Sequence, residues 1–229
     1  LKRVAADHTD DVRELLPARP AQLHGKRVAC IGAGPASLTV ANDLLPLGYE
    51  VVIFEQWDKP GGLMRTNIPA FRLPETVLAE EIGYIEQMGA QIRYNSRIDS
   101  LRKLLETGGF DAVFVGSGAP KGKELKLPGR TEGGANIHIG INWLESVAFK
   151  HLDKIGEKVL IIGVGNTAMD CCRSSLRLGA REVKVMARKP RQFFKASEWE
   201  LEDAESENVE IVVNHSPKAF VVEDGKLKG

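Results

Sequence analysis

Gly32-Ala33-Gly34-Pro35-Ala36-Ser37 and Gly163-Val164-Gly165-Asn166-Thr167-Ala168 share the spacing G-x-G-x-x-(small), which lets backbone N–H groups cradle a pyrophosphate. Each position has a physical task. Gly32 and Gly163 permit a tight turn out of a strand, and Gly34 and Gly165 admit the phosphate to the backbone. The small Ser37 and Ala168 let a helix lie close on a sheet. The helix opening near Pro35, and its counterpart after Gly165, then aim unpaired N–H groups and a positive dipole end at the anion. A glycine turn that joins strand to helix without any ligand is the plain alternative.

What stands at the end of the following strand differs between the two runs. Glu55 lies about 20 residues beyond Gly34, where a carboxylate can accept hydrogen bonds from the diol of an adenosine ribose. The second run leads instead to Arg188-Lys189, and a cation there can pair with the 2′-phosphate of NADP(H), which a carboxylate would repel. A solvated strand end is the alternative for this pair. Gly61-Gly62 permits close backbone approach to a flat ring or makes an ordinary turn after Pro60, and Arg72 can meet an anionic partner or cap a local turn. The acidic stretch Glu198, Glu200, Glu202, Asp203, Glu205, Glu207 has the spacing of a solvated face on an amphipathic helix, and no catalytic general base is assigned.

The elements that hold these residues repeat. Arg27 to Gly34 is echoed by Lys158 to Gly165, Leu47-Gly48 by Leu178-Gly179, and Val51 to Phe54 by Val183 to Met186. Each copy reads as strand, glycine turn, helix and second strand, a βαβ unit with a parallel strand pair. Two such units imply two nucleotide-sized sites in an α/β fold. Between them the pattern predicts a helix over Pro74 to Met88, a strand over Ala90 to Tyr94, a helix near Ser100 to Thr107 and a strand over Asp111 to Val115. Pro120 to Gly140 reads as a crossover and Ile141 to Phe149 as a helix. Residues 1–25 read as a lead-in with a helical pattern from Asp10 to Leu16, residues 26–140 as a first dinucleotide-binding domain, and residues 141–229 as a second. Near the end, Lys218 to Val222 reads as a strand and Glu223 to Lys226 as a tight turn. The absence of an initiator methionine and the interrupted hairpin read as a piece of a longer protein.

Composition narrows the ligands. Lysine plus arginine and aspartate plus glutamate number 31 each, so no global field recruits nucleic acid or an anionic membrane. The apolar runs are strand-sized, far short of the roughly 20 residues of a membrane span. Cys30, Cys171 and Cys172 form no C-x-x-C pair and read as packing residues, as expected in a reducing cytoplasm, and the scattered histidines have no metal-ligand spacing. A small-molecule dinucleotide is the expected ligand.

The chain resembles the FAD and NADPH region of the glutamate synthase small subunit family, which includes the corresponding domains of dihydropyrimidine dehydrogenase. The resemblance rests on Gly32 to Leu38, Pro60-Gly61-Gly62-Leu63-Met64, Ile68-Pro69-Ala70-Phe71-Arg72-Leu73-Pro74, Gly116-Ser117-Gly118-Ala119, Gly163 to Asp170 and Arg188-Lys189. It implies a two-unit flavoprotein fold with FAD across the first unit and NADPH on the second. It further implies that Gly61, Gly62 and Leu63 line the flavin, that Ile98 lies near the adenine, and that Arg72 belongs to the cofactor region. Ser117, Gly118 and Ala119 would lie beneath the cofactor, or form a simple strand-to-loop passage. The implied activity is hydride transfer from NADPH to FAD, with electrons passing on to an acceptor subunit or domain outside this chain. The competing classes are a docking or nucleotide-sensing module without turnover and a one-cofactor dehydrogenase. The family's cluster-binding cysteines before the first turn have no counterpart between Leu1 and Ala29, its last FAD-contacting strand and G-D motif do not occur, and Asn67 stands where many relatives have glycine. Without that last strand, apolar surface is expected to be exposed near Val113 to Val115 and Val159 to Ile162.

Overall fold

The computed structural model describes residues 4, 5, 8 and 13–229. The chain divides into two compact units, one formed by residues 1–64 and 74–118, the other by residues 65–73 and 119–229.

In the first unit, β1 (Arg27–Ile31), α1 (Pro35–Leu44) and β2 (Glu50–Phe54) make the first βαβ motif. A short α2 (Leu63–Thr66) is followed by α3 (Glu75–Gln87), β3 (Gln91–Arg93), α4 (Leu101–Thr107) and β4 (Ala112–Val115). The sheet is parallel in the order β3-β2-β1-β4. Alternation along β1 sorts its side chains between two faces. Val28 and Cys30 join Leu38, Ala41 and Leu45 of the α1 side and Leu78 and Ile82 of α3, whereas Ala29 packs with Val52, Phe54 and Phe110 on the other face. Covering both faces is what lets an all-parallel sheet persist. Ser100 caps α4 by accepting the Lys103 N–H at 3.2 Å.

In the second unit, α5 (Gly140–Ala148) precedes β5 (Lys158–Ile162), α6 (Asn166–Arg177) and β6 (Glu182–Met186). Then come α7 (Glu198–Ser206), β7 (Glu210–Val212) and the hairpin β8 (Val222–Glu223) and β9 (Lys226–Leu227). The parallel order is β5-β6-β7, with Met169, Cys172, Val183, Val185, Leu201 and Ala204 forming the core. The edge strands leave apolar side chains open: Val115 is 53% exposed, Leu160 51% and Ile162 39%.

The predicted elements of the βαβ units and the stretch between them occur within a residue or two of the expected bounds. Two readings change, and one strand was not expected. The expected strand from Lys218 shrinks to a two-residue ladder around a turn whose Asp224 and Gly225 both have positive φ, at 51° and 71°. Strand β7 follows the acidic helix directly and is too short to announce itself by alternation. The helical pattern from Asp10 begins outside the described residues, and its described part, Arg13–Leu15, is a single 3-10 turn. Among the described residues no helix is long and apolar enough to cross a membrane.

Candidate functional site: two glycine turns

The first turn is held from three sides. Gly32 donates its N–H to the Phe54 carbonyl at 2.8 Å, fixing the exit from β1 against the end of β2. Its φ is +89°, and a Cβ there would stand 2.9 Å from the Gly116 carbonyl, so only glycine fits both the torsion and the neighbour. Gly61 donates to the Ala33 carbonyl at 2.8 Å. Gly62, with φ +53°, approaches so closely that a Cβ would come within 2.8 Å of the Gly34 Cα. Gly61 and Gly62 therefore brace the turn itself, a role that spacing alone did not reveal.

Glu55 completes this arrangement. It is 5% exposed, and its carboxylate accepts the Ala33 N–H at 2.7 Å and the Trp57 N–H at 2.9 Å. A carboxylate has about four acceptor positions, and these two bonds fill two of them. Pro35 and Ala36 are exposed at the mouth of α1, while Ser37 is fully buried against β4. A Cβ on Gly116 would collide with the Ser37 Oγ, so the small residue of the turn and the glycine of the return strand fit each other. Ser117 and Gly118 continue from there as exposed loop, Leu63 is 40% exposed, and Ile98 is half-buried beside Phe54 and Phe110.

The second turn is more open. Among the described residues, no atom beyond the chain neighbours lies within 4 Å of a Cβ built on Gly163 or Gly165. Val164 accepts the N–H groups of Lys195 and Ala196, both at 3.1 Å, and the Asn166 side chain accepts the Ser197 N–H at 2.9 Å. Asn166 thus ties the loop before α7 to the start of α6. Thr167 is exposed and Ala168 buried, as a helix packed along one side requires. Arg188 and Lys189 follow β6 and are exposed, with the Lys189 ammonium 5.2 Å above the Phe193 ring. Ala119 belongs to this unit as exposed loop.

Arg72 and Asn67 also belong to the second unit. Asn67 donates to the Ile141 carbonyl at 2.8 Å. Arg72 donates to both oxygens of Asp170 at 2.7 and 2.9 Å and pairs with Glu200. Of the two roles open to Arg72, meeting an anion is the one observed, and the anions are the chain's own. Phe71 lies beneath Arg173 and Arg177, with the guanidinium carbons 4.9 and 3.9 Å from its ring centre.

On the acidic helix Glu198, Glu202, Asp203 and Glu205 are exposed, as a solvated face requires, but two members depart from that reading. Glu200 is 2% exposed, and Glu207 accepts from Arg173 at 2.9 Å and Arg177 at 2.7 Å. Helical spacing alone could not show that arginines of α6 and the 65–73 segment face this helix. Hydrogen bonding from Arg177 and Arg173 outweighs burial and holds the Glu207 carboxyl down to about 2. Burial pushes Asp170 above the usual carboxylate range despite the opposing pull of Arg72. Burial likewise pushes the Cys30 thiol to about 11 and those of Cys171 and Cys172 to about 12, so none is a thiolate near neutrality.

Residues 26–228 match the pyridine nucleotide-disulphide oxidoreductase family. The chain belongs to that family. It is 39% identical over 208 residues to the NADP(+)-dependent formate dehydrogenase subunit beta of Moorella thermoacetica, covering 90% of this chain and 29% of that protein. It is 33% identical to a putative glutamate synthase [NADPH] small chain of Cereibacter sphaeroides, over 92% of this chain and 53% of that protein. The resemblance carried by the motifs is therefore met by overall similarity. The chain spans between about a third and a half of the length of these relatives. Among solved structures, Mycobacterium tuberculosis FprA in complex with NADPH superposes with a TM-score of 0.66 at 20% identity, over 79% of this chain and 47% of that one. This likeness fixes the two-unit α/β fold.

Proposed function

We propose that this chain is the FAD and NADPH region of an electron-transfer flavoprotein of the glutamate synthase small-chain kind, working in the cytoplasm and delivering electrons to an acceptor subunit or domain outside it. The observation that carries the reading is the contrast between the two strand ends. A buried carboxylate, Glu55, follows β2, and an exposed cation pair, Arg188-Lys189, follows β6.

The residues of the first turn fit FAD. Beyond its chain neighbours, a Cβ on Gly34 would meet only the Gly62 Cα, at 3.9 Å, among the described residues, which leaves room that a pyrophosphate can use. The N–H groups at the mouth of α1 would receive the phosphates, Glu55 would accept from the adenosine ribose, and Ile98 would border the adenine. Gly61, Gly62 and Leu63 would border the flavin, with Ser117 and Gly118 below. When bound, FAD supplies a hydride acceptor that can release electrons singly.

On the second unit, Gly163, Gly165 and the N–H groups of Asn166 and Thr167 would hold the pyrophosphate of NADPH, with the small Ala168 letting α6 pack close and Arg188 and Lys189 on its 2′-phosphate. This chain's work is orientation and charge, and the reaction as read needs no protein acid or base. The experiment is to measure flavin content and then NADPH and NADH affinity on the full-length protein. The reading expects bound FAD and tighter binding of NADPH than of NADH. A flavin-free protein that is indifferent to both nucleotides would refute it.

A further inference from the structure

We infer that Arg72 is a positioning residue for the nucleotide of the second turn, acting by neutralising Asp170 and Glu200 behind the phosphate-binding end of α6. The inference rests on the reading that NADPH occupies that turn, and it gives Arg72 a task different from contact with FAD.

Asp170 lies one helical turn beyond Asn166, about 6 Å along the axis from its N–H, which is offered to the phosphates. Its side chain is 7% exposed, and that of Glu200 is 2% exposed. Two ionised carboxylates this close to an anion site, and this poorly solvated, would oppose the helix dipole that the phosphates need. Arg72 meets both. It holds Asp170 by two hydrogen bonds at 2.7 and 2.9 Å and pairs with Glu200 Oε1, while Glu200 Oε2 has no hydrogen-bond partner among the described residues. The other charges facing the cluster are already shared. Arg173 lies 3.9 Å from Glu200 and is bonded at 2.9 Å to Asp203 and to Glu207, and Arg177 pairs with Glu207. Among the described residues, Arg72 is the cation that hydrogen-bonds Asp170.

Loss of Arg72 should leave Asp170 as a buried acid whose proton uptake burial favours. In Arg72→Met the harm to NADPH binding should therefore grow with pH, because a deprotonated Asp170 puts uncompensated negative charge behind the phosphates. The test is NADPH titration of the full-length, flavin-loaded protein from pH 6 to 8.5. Arg72→Met should weaken binding about twofold at the acid end and about tenfold at the alkaline end, and adding Asp170→Asn should recover part of the loss and flatten the slope, Glu200 remaining without its partner. Arg72→Lys should keep most of the affinity. Asp170→Asn alone, which leaves Arg72 on Glu200, covers the case in which Arg72→Met does not fold, and should bind NADPH at least as well as wild type.

Unchanged affinity in Arg72→Met overturns the inference. So does a pH-independent loss that Asp170→Asn does not rescue, which would make Arg72 merely structural, and so does weaker binding by Asp170→Asn alone. A wild type that binds no NADPH refutes the reading of the second turn and the inference with it. A wild type that binds, with any of the preceding failures, refutes the inference alone.

Discussion

The carboxylate of Glu55 accepts the backbone N–H of Ala33 at 2.7 Å, fastening the end of β2 to the first glycine turn. The residue read as a ribose acceptor is thus also part of the scaffold. Glu55→Gln can keep one of the two N–H bonds but turns an amide toward the other, leaving a buried donor unmet. It should lower stability by about 1 to 3 kcal/mol and weaken flavin retention while leaving NADPH affinity nearly unchanged. Denaturant melts beside equilibrium titrations of both cofactors check this, and equal weakening of the two would remove the assignment.

Ser37 and Gly116 form a matched pair. Gly116→Ala places its Cβ against the Ser37 Oγ and 3.1 Å from Phe114 Cε1, and should destabilise by about 1 to 3 kcal/mol. Ser37→Ala removes the oxygen, whose hydrogen-bonding capacity is unmet in any case, and should cost little alone. The double variant should recover part of the loss, a coupling that a double-mutant cycle reads directly. Strict additivity would show that the two do not meet.

Much of this site could be read in the sequence because its information is local. A glycine turn, the strand before it and the helix after it lie within a few residues of one another, as does the Arg188-Lys189 pair after β6. What sequence hid is non-local. Arg72 finds Asp170 across 98 positions, and nothing near Glu200 announces its burial beneath Arg72 and Arg173. Helical periodicity placed the α7 carboxylates on a face but said nothing of what faces them. The bracing of Gly34 by Gly62 was hidden for the same reason, since it depends on how a loop returns.

Arg188 and Lys189 should discriminate between the two nicotinamide nucleotides. Neutralising both should cost about tenfold to a hundredfold in NADPH affinity and barely touch NADH. Parallel binding curves decide it, and equal weakening of the two nucleotides would contradict a 2′-phosphate role.

Glu207 should stabilise the fold in a pH-dependent way. Its folded carboxyl is depressed from 4.5 to about 2, so the stabilisation is fully present above 4.5 and is lost as pH falls through about 2. Glu207→Gln should lower stability at neutral pH by about 1 to 2 kcal/mol, allowing for the partial exposure of the pair. The gap between variant and wild type should close over that acid window. A gap that stays constant down to about pH 2 would show that the loss is one of packing.

The thiols should be silent in the folded chain. With Cys30, Cys171 and Cys172 buried and their thiols raised to about 11 or 12, a thiol reagent at mildly alkaline pH should react slowly before denaturation and with all three afterwards. Rapid native labelling would contradict this burial.

The two turns should bind two different dinucleotides, and glycine substitution separates them. Gly34 and Gly165 both have room for a Cβ among the described residues of this chain, with nothing beyond the chain neighbours closer than 3.9 Å at the first and nothing within 4 Å at the second, so Gly34→Ala and Gly165→Ala intrude mainly on ligand space. The decisive measurement is flavin content and NADPH affinity of each variant in the full-length protein. Gly34→Ala should lose flavin and keep NADPH binding, and Gly165→Ala should keep flavin and lose NADPH. Loss of both ligands in either variant, or the opposite pairing, would contradict the account.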